Sequence, residues 1–229
     1  MSIAANLALV TSRIAAAARA SGRKPEQVRL VAVSKMHGPQ VVKAALAAGQ
    51  ILFGENYVQE AQDKIAVVGP GPSWHFIGHL QSNKAKVAAE LFDVVQSVDR
   101  LKLAKALDRH AGDLGRKLGV LLQVNVGGEA QKSGCEPETA AALAQEVAKL
   151  EHLELSGLMT MPPFFDDPER ARPVFAELRS LAEKLGRDLP RGAMRHLSMG
   201  MSGDYEAAIA EGATLVRVGT AIFGERDYS

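Results

Sequence analysis

From Arg29 onward, short β-branched and apolar runs alternate with stretches in which apolar residues recur at the spacing of one helical face. This alternation predicts βα units arranged around a parallel sheet. Eight runs read as strands, at 30–34, 51–54, 74–77, 94–98, 120–126, 155–159, 196–199 and 215–218, and helical stretches fall at 40–48, 56–67, 101–111, 138–150 and 169–185. Local punctuation agrees with this phasing. Asp167-Pro168-Glu169 supplies a cap, a first-turn proline and an acidic first turn, while Gly49 and Gly186 stand where helices should stop. Eight βα units in about 200 residues favour a (β/α)8 TIM barrel over a doubly wound sheet. The expectation is therefore an α/β chain forming one domain over residues 1–229, with an extra amphipathic N-terminal helix over residues 2–20.

Composition narrows the chemistry. The 27 Lys and Arg residues nearly cancel the 26 Asp and Glu, and no basic run is interleaved with aromatics, so neither nucleic acid nor an anionic membrane surface is an expected partner. No run of 18 apolar residues is free of charge. The alanine-rich start has no basic n-region and is interrupted by Arg13 and Arg19, which makes it a helix rather than a secretion signal. Cys135, the single cysteine, forbids an internal disulfide or a multi-cysteine metal site and fits a reducing, cytoplasmic compartment, with the thiol itself a bystander. His75 and His79 are four apart, but Gly78 interrupts them and no glutamate follows the first, so no zinc site is expected. His75 or His79 is expected to pack or hydrogen-bond at the barrel mouth.

In a parallel barrel the reactive face lies at the C-terminal ends of the strands, and the first and last strands are neighbours. Lys35 follows Val31, Ala32 and Val33, so its amine leaves an apolar strand end. Such surroundings disfavour the charged form, and a neutral amine attacks an aldehyde; a lysine closing a strand by snorkelling or ion pairing is the alternative. The segments Ser198-Met199-Gly200-Met201-Ser202-Gly203 and Gly219-Thr220 are small and hydroxyl-rich, and each leads into a helix. Together they read as a phosphate cradle, or separately as tight turns and helix caps. Arg217 lies inside an apolar strand and needs an acceptor, either a carboxylate such as Glu55 or the ring nitrogen of a pyridine cofactor. Met159, Met161, Met199 and Met201 either line a pocket or fill the core.

The residues Val31 to Lys35, Phe53-Gly54-Glu55-Asn56-Tyr57-Val58-Gln59-Glu60, Trp74-His75-Phe76-Ile77-Gly78-His79-Leu80-Gln81, Gly157-Leu158-Met159-Thr160, Leu197 to Ser202 and Val216 to Thr220, in this order, closely resemble the pyridoxal phosphate homeostasis protein family. The resemblance implies a barrel of the alanine racemase N-terminal type that holds pyridoxal 5′-phosphate as an aldimine with Lys35. It implies phosphate contacts from Ser198, Gly219 and Thr220, Arg217 facing the ring nitrogen, and Asn56, His79 and Met199 lining the pocket. One departure is Met36-His37 after the lysine, where the resemblance leads one to expect threonine first.

The favoured role is a monomeric protein that buffers cofactor or delivers it to apo-enzymes, without a demonstrated catalytic reaction. A pyridoxal-dependent amino-acid racemase or related enzyme is the alternative, and a barrel enzyme acting on a phosphorylated metabolite without cofactor is a third. The chain ends five residues beyond Gly224, which leaves no length for the additional domain through which racemases of this barrel type place a second base.

Overall fold

Side chains alternate along each strand, and this sorts the apolar residues into two cores. Val31, Leu52, Leu121, Met159 and Leu215 face inward and fill a barrel, whereas Ala32, Phe53, Trp74, Val95, Leu122, Leu158, Val216 and Val218 face outward against a sleeve of helices. The computed structural model describes residues 2–128 and 133–225, so residues 226–229 of the expected single domain lie outside the described residues. Its sheet is closed, with strands in sequential order. They are β1 (Arg29–Val33), β2 (Leu52–Glu55), β3 (Ser73–Phe76), β4 (Val94–Val98), β5 (Leu118–Gln123), β6 (Leu153–Met159), β7 (His196–Ser198) and β8 (Leu215–Val218). The helices are α1 (Ile3–Ala20), α2 (Pro39–Ala47), α3 (Val58–Val68), α4 (Ala85–Leu91), α5 (Leu101–Asp113), α6 (Pro137–Val147), α7 (Arg172–Leu185), α8 (Tyr205–Ala210) and α9 (Thr220–Phe223).

The (β/α)8 barrel and its added helix agree with the sequence pattern, while several boundaries move for local reasons. Ser2 caps α1 by accepting the Ala5 N–H. That helix packs on α8, α9 and α2, with Arg13 bridged to Glu206 at 2.8 Å and Asn6 donating to the Ile222 carbonyl at 2.9 Å. β5 ends at Gln123 rather than 126, because Val124 instead bridges Cys135. The stretch expected as one helix from 169 opens as a 3₁₀ turn, Pro168–Ala171, with the Asp167 carboxylate accepting the Glu169 N–H at 3.0 Å. Pro173 lacks the N–H that would carry an α-helical bond back to Glu169, so α7 begins afresh at Arg172. α3 starts at Val58, two residues late, since Tyr57 remains extended and Asn56 turns toward the strand ends.

Closure of the sheet positions the site. β1 pairs with β8 in the register Val31 to Arg217 and Ala32 to Val218, and with β2 in the register Ala32 to Phe53 and Val33 to Gly54. The Ser34-Lys35 turn is thereby held between Asn56 on one side and Gly219-Thr220 on the other. Close approach matters at Gly78, where a Cβ would fall 2.2 Å from the Asn56 carbonyl oxygen. Gly78→Ala must push the two turns apart. It is expected to destabilise the fold by about 1–3 kcal/mol, as overpacking does, and a urea unfolding midpoint equal to wild type would contradict that contact.

Candidate functional site

The C-terminal ends of the strands surround a cavity of about 450 Å³. Val33 and Lys35 of the first unit, Asn56 of the second and Ile77 of the third form one side; Arg217, Gly219 and Thr220 close it from the last. The loop after β6, Met161 to Phe165, supplies an apolar wall, and the loop after β7 contributes Met201 to Asp204. Five of the eight residues singled out in the sequence therefore share one cavity: Lys35, Asn56, Arg217, Gly219 and Thr220.

The other three are placed differently. Ser198 is fully buried below the cavity, where its hydroxyl accepts from Arg217 Nη1 at 2.7 Å and donates to Gln96 Oε1 at 2.5 Å. Met199, one residue further along the alternation, points outward into the core between barrel and helices. His79 sits half exposed at the rim, with Nδ1 3.0 Å from Ser133 Oγ and 3.9 Å from the Asp99 carboxylate, and is not among the lining residues. Of the remaining methionines, Met159 fills the barrel interior, whereas Met161 and Met201 reach the cavity wall.

Arg217 does not pair with Glu55. Its Nη2 donates to the Thr160 carbonyl at 2.8 Å, while Glu55 lies on the outer side of the sheet, 2.6 Å from Lys64 Nζ. Burial pulls the guanidinium down to about 10, opposed by the charge of Asp204, so it remains a cation at neutral pH. From Arg217 a chain of donors runs through Ser198 to Gln96, whose Nε2 lies 2.7 Å from His75 Nδ1. The amide nitrogen can only donate, which assigns the proton of neutral His75 to Nε2. His75 is held neutral, its pKa lowered to about 3 by burial and then by Arg29 and His196. His75 lines a second cavity, of about 270 Å³, at the opposite end of the barrel with Arg29 and His196, so of the two imidazoles it is His79 that hydrogen-bonds at the mouth.

The two small, hydroxyl-rich segments meet. The Gly219 N–H donates to Ser202 Oγ at 3.3 Å, joining the loop after β7 to the start of α9. Asp204 accepts the Met201 N–H at 2.6 Å, and burial raises its carboxyl above the usual range. On the other side, Met36 takes the left-handed conformation, φ 62°, directly after Lys35. Its N–H donates to Glu60 Oε1 at 2.5 Å, and Lys64 donates to the Ser34 carbonyl at 2.7 Å. The departure noted at Met36 thus falls on a strained turn tied to α3. Cys135 is buried and its thiol is pushed up to about 11 by desolvation, which makes it a poor nucleophile.

Sequence reasoning passed over Asp204, the Pro162 to Phe165 part of the apolar wall, and the partners of Arg217. A signal for the chain behind Arg217 was present in Gln96, a buried polar residue inside an apolar strand, which accepts the Ser198 hydroxyl.

The model of the alanine racemase N-terminal domain family matches residues 6–227 of this chain. Solved structures extend the likeness: PipY of Synechococcus elongatus, in a form with PLP bound, is 40% identical, superposes with a TM-score of 0.85 and is matched over 97% of this chain and 100% of its own. Alanine racemase from Corynebacterium glutamicum shares the fold at a TM-score of 0.68 and 16% identity, over 96% of this chain and 62% of its own. The pyridoxal phosphate homeostasis protein of Pseudomonas aeruginosa is 51% identical over 99% of this chain and 96% of its own length, and that of Escherichia coli K12 is 45% identical over 99% and 98%. The chain belongs to the pyridoxal phosphate homeostasis protein family.

The neutral state of His75 has a measurable consequence. An unfolded chain protonates this imidazole below 6.5, whereas the folded chain resists until about 3, so the unfolded state binds more protons in between. Stability should be fully present above 6.5 and fall as the pH drops from there toward 3, with His75 contributing up to about 1.4 kcal/mol per pH unit. His75→Gln retains an acceptor for Gln96 without the titration. It should flatten the loss of stability between pH 6 and 4 in urea unfolding, and an unaltered slope would contradict the assignment.

Proposed function

We propose that this protein binds pyridoxal 5′-phosphate in the 450 Å³ cavity, linked to Lys35 as a Schiff base, and acts as a cytoplasmic store that passes the cofactor to apo-enzymes. The observation that carries this reading is the placement of Lys35, just beyond β1, in one cavity with Arg217 of the adjoining β8 and with Gly219 and Thr220 just beyond it. Family membership and the PLP-bound PipY structure support it.

The donor set fits such a ligand. A phosphate dianion calls for N–H and O–H donors at small residues, and Gly219, Thr220 and Ser202 offer them. The 3.3 Å contact between Gly219 and Ser202 is long enough to yield to a stronger acceptor. Arg217 can only donate, so facing a ring nitrogen it would keep that nitrogen unprotonated and weaken the ring as an electron sink. This favours storage over carbanion chemistry. Ile77, Met161 and the prolines of the β6 loop provide apolar surface for a flat ring and thin the water around the amine. When bound, the cofactor supplies an aldehyde: the Lys35 nitrogen forms a C=N bond with its carbon and the oxygen leaves as water. The cytoplasmic reading rests on the single, buried Cys135.

Titration of the apo-protein with pyridoxal 5′-phosphate and with pyridoxal, followed by borohydride reduction and peptide mapping, tests the assignment. Two charge-assisted phosphate bonds at roughly 1.5 kcal/mol or more each predict at least about 100-fold weaker binding of pyridoxal. The reduced label should fall on Lys35 and be lost in Lys35→Ala. Equal affinity for the two ligands, or a label on Lys84, would overturn it.

A further inference from the structure

A buried ionic cluster lies behind the lysine turn, on the helix side of the sheet. Ser34 and Glu55 both face outward there, and Lys64 reaches down from α3 to meet them; Ser34 and Glu55 are fully buried and Lys64 is 3% exposed. The Lys64 ammonium makes three contacts: to Glu55 Oε1 at 2.6 Å, to Glu60 Oε1 at 2.9 Å and to the backbone carbonyl of Ser34 at 2.7 Å. Glu60 Oε1 in turn accepts the N–H of Met36 at 2.5 Å, and Glu55 Oε1 accepts the Ser34 hydroxyl at 2.6 Å.

Two features make this more than an ordinary core ion pair. A buried pair is weak evidence of stabilisation, because desolvation offsets the Coulomb attraction unless further hydrogen bonds complete it. Here those further bonds go to the chain on both sides of one residue. Ser34 is held through its carbonyl and hydroxyl, Met36 through its N–H, and Lys35 stands between them. Moreover, Met36 occupies φ 62°, a conformation that costs of order 1 kcal/mol or more for a non-glycine residue and persists only where the surroundings impose it. The same carboxylate at Glu55 anchors the residue before Asn56, on the next wall of the cavity.

We infer that Lys64, Glu60 and Glu55 are positioning residues for Lys35: a clamp from α3 and β2 that grips the peptide groups flanking the lysine and fixes where its amine enters the cavity. The inference rests on the proposed role of Lys35. It assigns a task to a buried lysine whose three hydrogen-bond partners, Glu55, Glu60 and the Ser34 carbonyl, lie behind the cavity wall.

The test uses full-length apo-protein with Glu60→Gln, Glu60→Leu and the pair Lys64→Met with Glu55→Gln, which removes the Lys64 arm of the clamp without leaving Glu55 as a lone buried charge. Amide hydrogen exchange at Met36 reads the clamp without cofactor. A hydrogen bond to an ionised acceptor predicts roughly 10- to 100-fold faster exchange in Glu60→Leu, with much of the protection restored in Glu60→Gln, whose amide oxygen still accepts. The second reading is the rate at which added pyridoxal 5′-phosphate forms a borohydride-reducible link at Lys35 with loss of water. Glu60→Leu and the double variant should form it at least about tenfold more slowly while keeping a cooperative thermal transition, and Glu60→Gln should recover most of the rate. Wild-type linkage rates in both Glu60→Leu and the double variant, or unchanged Met36 exchange in Glu60→Leu, would overturn the inference. Failure of the wild-type protein to form any link would overturn the proposed function instead, and Met36 exchange would still report on the clamp.

Discussion

Pairing of β1 with β8 is the contact on which the site depends. Lys35 and Arg217 are separated by most of the chain, and only closure of the sheet, in the register Val31 to Arg217, makes them neighbours. An open parallel sheet built from the same strands would leave β1 and β8 unpaired and the amine facing no cation. Closure also creates the two environments that the chemistry requires. The interior accepts Val31, Leu52, Leu121, Met159 and Leu215 as packed filling, and the strand ends remain free to carry polar groups.

Inside this frame, buried charge is handled in two ways. Arg217 is satisfied by neutral acceptors, the Ser198 hydroxyl and the Thr160 carbonyl, so it keeps its positive charge available to the cavity. Lys64 is satisfied by carboxylates and is therefore spent within the protein. The difference follows from strand parity: Arg217 points into the barrel and Glu55 away from it, so the pairing that residue types alone would suggest is sterically forbidden. The hydrogen-bonded chain from Arg217 to His75 then makes the upper site depend on a neutral imidazole near the far end of the barrel.

The strands were legible because residues buried on both faces leave continuous apolar runs, and β4 and β8 fall where the runs predicted. Helices α8 and α9 were harder, at six and four residues, since so short a segment shows no periodicity. Lys35 and Arg217 stood out as charges within or directly after apolar strands. Met199 could have been assigned to the outer core by parity, since inward Ser198 requires its neighbour to point outward. The contacts of Lys64 were not legible: on an amphipathic helix a lysine reads as a solvent-facing residue, and only the tertiary packing of α3 against β2 places its ammonium beside the Ser34 carbonyl. Which of His75 and His79 reaches the mouth was left open for a related reason, because a strand sequence does not reveal at which level of the barrel an inward side chain sits.

The most direct measurement is a crystal structure of the protein soaked with pyridoxal 5′-phosphate. The account predicts continuous electron density between Lys35 Nζ and the ligand, the phosphate against Gly219 and Thr220, and the ring nitrogen toward Arg217. Density for the ligand elsewhere, for instance among Arg29, Arg116 and Arg195 at the opposite end of the barrel, with Lys35 unmodified, would contradict it.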